Sequence, residues 1–177
     1  FPKQCLVCNI ENSHICEDCL SLIPITQTTS QISTASSLSA LFSAATYENL
    51  LVQKTIHHLK YPPFLKDLAT PLAYLIIAHF SFVDKPNSIQ LGENTAKHIS
   101  ASKKSDFMLL PIPLSHKRLK WRGFHHAELL ATMLAEAFQV PLSLDILQKT
   151  KHTVPQMSLK KEQRLRNMKG VFRVSNP

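Results

Sequence analysis

The residues best suited to chemistry come first in the chain. Cys5-Leu6-Val7-Cys8 is followed, after seven residues, by Cys16-Glu17-Asp18-Cys19. Two residues between cysteines let both sulfurs turn toward one point. Two such knuckles supply four thiolates, the set that tetrahedral Zn2+ takes. All four cysteines of the protein lie here and none is left over. A zinc ion with four protein ligands has no open position, so its expected role is structural. His14 is a spare donor that four thiolates leave without a vacancy. The alternative is two disulfides, which need an oxidising compartment. No basic-then-apolar leader precedes the cysteines, and the expected location is the cytoplasm.

The second chemical feature is positive charge. Net charge is +8, and it is clustered. Residues 115 to 123 hold Lys117, Arg118, Lys120 and Arg122 and no acid, while residues 149 to 173 hold eight Lys and Arg against Glu162 alone. Clustered positive charge favours an anion: a phosphate ligand or a nucleic acid. A buried strand, Phe107 to Leu110, delivers the chain to this basic stretch after Pro111-Ile112-Pro113. Gly123 then permits a tight backbone before a helix expected from Phe124. Bare amides at a helix start beside Arg and Lys suit a phosphate. Contact with a nucleic-acid backbone and a plain solvated loop are the alternatives. Trp121 can stack on a base or pack beneath the loop, and packing is the expectation. His125 and His126 point about 100° apart on a helix, a poor chelating pair, as are His57 and His58. No Ser-His-Asp set, metallohydrolase motif or Walker loop is present.

The elements that must position these residues follow from pattern. A cysteine module spans 1–23. Residues 24–40 are Ser-, Thr- and Gln-rich and uncharged, a linker with little structure of its own. The remaining 41–177 reads as one domain: a strand over Leu41–Tyr47, then a helix over 48–60 with Leu51, Val52, Thr55, Ile56 and Leu59 on one face. Tyr61-Pro62-Pro63 ends it. A second helix follows over Leu65–Phe80, then a polar, irregular stretch over 81–105. Beyond the basic loop come a helix over 124–138, a strand over Val140–Leu147, a short helix near 159–168 and a strand over Val171–Val174. Strands alternating with helices predict a parallel α/β sheet. No apolar run reaches the length of a membrane span.

Several of these positions recur together in a known family. The four-cysteine knuckle, Leu59-Lys60-Tyr61, Pro111-Ile112-Pro113 and Arg122-Gly123-Phe124 occur in order. Ala127, Leu130-Ala131, Thr153, Gln156, Arg164, Asn167, Gly170 and Phe172 continue it. This pattern resembles the ComF family of competence proteins. The resemblance implies a type I phosphoribosyltransferase-like domain behind a zinc module, with phosphoribosyl diphosphate, accompanied by Mg2+, as ligand. It also implies a role in DNA uptake or nucleotide metabolism, with single-stranded DNA and the uptake machinery as partners. The expected anion contacts are Lys60, Lys120, Arg122 and the backbone of Gly123. Arg164 and Asn167, one turn apart, are expected to make structural hydrogen bonds. Where the family usually has Asn-Gln after Arg-Gly-Phe, this chain has His125-His126. The family's diphosphate motif, two adjacent acids and a Thr-Thr-Gly turn, is expected past Pro177. The domain is therefore expected to be C-terminally incomplete, with no catalytic residue in this stretch and no transfer by it alone. The rival expectation is a non-enzymatic uptake accessory or interaction module that keeps the fold.

Overall fold

A computed structural model describes residues 2–26, 29–31, 40–83 and 107–175. The chain opens on a hairpin: Gln4 bridges Glu11, and the Cys5 amide donates to the Ile10 carbonyl at 2.9 Å. Asn9, with φ 61°, makes the reversal, a left-handed position that Asn tolerates. Cys16 then caps a short helix α1 (Glu17–Ser21), whose first turn carries Glu17 and Asp18, the sign its dipole favours.

A two-stranded antiparallel sheet follows. β1 (Thr29–Gln31) pairs with β2 (Ala40–Phe42). β1 lies inside the stretch expected to have little structure of its own, and backbone pairing with β2 overrides its polar composition there. The strand expected over Leu41–Tyr47 is confined to β2. Next, α2 (Leu50–Lys60) is capped by Asn49, whose Oδ1 accepts the amides of Leu51 and Val52 at 2.9 and 3.2 Å. Its buried positions, Leu51, Val52, Thr55 and Leu59, follow the helical spacing of the sequence. Tyr61 closes it before a cis Pro62-Pro63 bond. The second helix begins later than expected: a 3-10 turn (Lys66–Leu68) leads into α3 (Ala69–Val83). The irregular stretch expected over 81–105 lies largely outside the described residues.

The basic stretch departs most from expectation. Residues read as a loop form a helix, α4 (His116–Arg122), which stops at Gly123 with φ 82°. Lys, Arg and Leu are strong helix formers, and a left-handed glycine is the usual stop. The next helix, α5 (His126–Phe138), starts two residues late, because His125 is its cap: His125 Nδ1 accepts the Glu128 amide at 3.0 Å. Beyond it, β3 (Leu147–Lys149) pairs antiparallel with β4 (Phe172–Val174), and α6 (Lys161–Met168) lies between them in sequence. Arg164 Nε donates to the carbonyls of Gln156 and Leu159, and Asn167 Nδ2 to that of Val154. Both side chains thus tie α6 to the preceding turn.

The molecule is therefore mixed: helices with two small antiparallel sheets among the described residues. Parallel pairing there is one bridge, Leu109 to Leu142. Pro111, Pro113 and Pro141 flank it, and residues without an N–H cannot extend a ladder. The core is shared. Cys5, Ile15, Cys19 and Ile23 of the cysteine module form one buried cluster with Leu51, Val52, Leu59 and Leu68, against which Leu129, Leu130 and Met133 of α5 pack. Leu59 and Leu68 are each 1% exposed, and burying a leucine contributes roughly 1.5–3 kcal/mol. No helix among the described residues is long and apolar enough to cross a membrane.

Candidate metal centre and basic cleft

The four cysteines meet. Their sulfurs all lie within 4.8 Å of one another, with Cys8 and Cys16 3.5 Å apart. Tetrahedral zinc with Zn–S bonds of about 2.3 Å holds its sulfurs about 3.8 Å apart. A disulfide needs about 2.05 Å, and all four thiols are free. The set fits a metal ion such as zinc. Ionisation points the same way. Burial raises the Cys5 thiol, but the backbone around Cys16, Cys8 and Val7 more than offsets this and holds it at about 6. Cys19, hydrogen-bonded to Cys16 and buried, is pushed up to about 12. One thiolate forms easily, and the last forms only when a cation neutralises the group.

The site is braced from outside. His14 is not a ligand here: its Nδ1 lies 3.0 Å from Asp67, which also pairs with Lys3 at 2.9 Å. Partial burial opposes ionisation of Asp67, yet Lys3 and His14 hold its carboxyl below the usual range. Lys54 of α2 donates to the Leu6 carbonyl at 3.2 Å. The hairpin is thereby fastened to both α2 and the 3-10 turn.

The second site is a cavity of about 420 Å³ between the end of α2, α4 and residues 152–155. Lys117, Arg118 and Arg122 of α4 line it with His152, and Tyr61 and Trp121 form its aromatic wall. The helical spacing explains the grouping: residues four apart, Lys117 with Trp121 and Arg118 with Arg122, share a face. Among the described residues, no carboxylate lines the cavity. Arg122 is 8% exposed; its Nη1 donates to His126 Nδ1, and its Nε has no partner among the described residues. Burial, then Arg118, lowers its affinity for its own proton. Lys60, next to Tyr61, is lowered likewise by burial and then by Arg122. His126 is pushed down to about 3 by burial, Arg122 and Lys60, so it is a neutral acceptor. Among the described residues, the ion pairs are those of Asp67, and none relieves these cations.

Of the expected anion contacts, Lys60 and Arg122 are brought together from 62 positions apart in sequence, close enough to shift one another. Lys120 is exposed and not part of the cavity wall. The Gly123 amide is engaged by the Leu119 carbonyl at 2.8 Å and serves as the helix stop. Lys117, Arg118 and His152 take their place in the wall. The first two were legible as the same helix face as Trp121 and Arg122 once a helix is drawn; nothing in the sequence marks His152. A larger, more open hollow of about 730 Å³ runs along α6, lined by Lys161, Arg164, Arg166 and Lys169 beside Leu165 and Met168. The smaller cavity is the candidate site because a buried guanidinium, that of Arg122, lines it.

Comparison with known proteins finds a curated relative, Competence protein F of Haemophilus influenzae, 34% identical over 64 residues. That segment is 36% of this chain and 28% of the relative, so the match spans little over a quarter of the relative's length. No protein-family model matches the chain, and no solved structure matches it. Together with the four-cysteine cluster, the match supports the resemblance to the ComF family that the motifs carry.

Proposed function

We propose that this chain is the zinc-braced, ligand-binding part of a ComF-like protein with a phosphoribosyltransferase-like α/β domain, and that its cleft binds a phosphate group. The observation that carries the reading is Arg122: a guanidinium 8% exposed, one N–H unpartnered, with Lys60 and Arg118 near and no acid to offset them. An unpaired buried charge is costly, and a dianionic phosphate offsets that cost through charge-assisted bonds. Lys60, Lys117, Arg118 and Arg122 are the proposed contacts, with Lys120 at the rim. Phosphoribosyl diphosphate and single-stranded DNA are the two ligands that the likeness to a competence protein favours, in DNA uptake or nucleotide metabolism in the cytoplasm. The cavity wall offers no carboxylate for Mg2+, so the ion would come with a diphosphate ligand. Zinc in the cysteine site is structural in this reading.

The test is Arg122→Ala in the full-length protein, with binding of phosphoribosyl diphosphate and of single-stranded DNA measured. Loss of either supports the reading; unchanged binding of both sinks it. Salt separates the ligands, since DNA affinity falls with a log–log slope of about −0.7 per phosphate contact. A non-enzymatic uptake accessory is the second reading, favoured by the lack of a carboxylate in the cleft wall among the described residues.

A further inference from the structure

Resting on the phosphate reading above, we propose that the cleft has a ring-stacking subsite at Trp121. Its ligand is then a nucleotide unit, phosphate on Arg118 and Arg122 and base against the indole, rather than a bare sugar phosphate.

Trp121 is both held and open. Its ring meets Phe64 edge-on, with centroids 4.8 Å apart and planes at 89°. The residue is 55% exposed and lines the same cavity as Arg118 and Arg122. Tyr61, on the same wall, is stacked on His57 at 5.0 Å and 29°, so the wall is rigid at two points. The remaining wall is polar and basic: Lys117, His152 and Thr153, whose Oγ1 accepts from Lys149 at 2.9 Å. A cavity of about 420 Å³ falls within the usual range of about 300–1,000 Å³ for small-ligand sites. Cations and an exposed aromatic ring lining one cavity match a molecule with a phosphate and a planar ring. A free mononucleotide and one residue of a single strand share that chemistry.

The protein has a single tryptophan, so its fluorescence reports this subsite alone. The experiment titrates the full chain with deoxyadenosine 5′-monophosphate, ribose 5-phosphate and a short oligo-deoxyadenylate, by fluorescence and calorimetry. Base–aromatic stacking is worth roughly 1–3 kcal/mol, so the mononucleotide should bind about tenfold or more tighter than ribose 5-phosphate and quench Trp121. Trp121→Ala should erase that preference in calorimetry without changing ribose 5-phosphate affinity, and Trp121→Phe should restore most of it. Tighter binding of the oligonucleotide identifies a strand as the source, and equal binding identifies a free nucleotide; either supports the subsite. Equal affinity for nucleotide and ribose 5-phosphate, with unquenched fluorescence, overturns it while leaving the phosphate reading intact. Binding of neither overturns both.

Discussion

The cysteine cluster and the basic cleft present the same electrostatic problem with opposite signs. In one, four thiols crowd within 4.8 Å and the last of them resists ionisation without a cation. In the other, Lys60, Arg118 and Arg122 crowd with no ion pair among the described residues to relieve them. What differs is closure. The thiols lie within 4.8 Å of one another, and two of them, Cys5 and Cys19, belong to the core that α2 and the 3-10 turn complete. Arg118 and Arg122 line an open cavity. In the reading proposed above, the closed, core-embedded set would hold a permanent ion as a staple, whereas the open set would bind and release its ligand.

The contrast can be broken most forcefully at the metal. Structural zinc sites are worth about 10–16 kcal/mol in small domains. Chelation, or Cys19→Ser, should therefore abolish cooperative unfolding of the shared core, followed by circular dichroism. Metal analysis should return one zinc per chain, and a melt unaltered by chelator would show that the staple is not one. At the cleft the expectation is reversed. Arg122→Leu should raise stability by about 1 kcal/mol, because it removes an uncompensated buried charge, while abolishing phosphate binding. Denaturant unfolding and ligand titration on one sample read both effects.

Acidification sharpens the comparison further. His126 has a folded pKa of about 3 against an ordinary 6.5, so the fold favours its neutral form. The unfolded chain takes up the proton first as pH falls. Stability from this group is complete above pH 6.5 and is lost progressively between 6.5 and 3. His126→Gln keeps an acceptor for Arg122 and should flatten part of that slope in pH-dependent melts. The smallest effect is expected at Asp67, which is half exposed and braces the hairpin through Lys3 and His14. Asp67→Asn should cost about 0.5 kcal/mol, and the loss should shrink in high salt.

These two sites were unequally legible in the sequence. The cysteine cluster could be read directly, because two Cys-x-x-Cys knuckles carry their geometry in local spacing. The helical face of α2 was equally plain, since Leu51, Val52, Thr55 and Leu59 repeat at the period that buries them. The cleft was not, because Lys60, Arg122 and His152 are joined only by the fold. Within α4, Pro113 and Gly123 at either end of a basic run with no acid suggested a loop, and the helix-forming strength of Lys, Arg and Leu prevailed. β1 was hidden for the opposite reason: a polar, turn-like composition that a partner strand overrode. The parallel sheet expected from alternation is represented among the described residues by the Leu109–Leu142 bridge alone, where prolines remove the donors a longer ladder needs.

The central claim is that buried Arg122 and the cations beside it, with no acid in the cavity wall among the described residues, form an anion site. Calorimetric titration of the zinc-loaded chain and its Arg122→Leu variant with ribose 5-phosphate tests it most directly. The account predicts saturable binding to the parent protein and none to a variant that melts at the same or a higher temperature. Equal binding to both, or none to the parent, would contradict it.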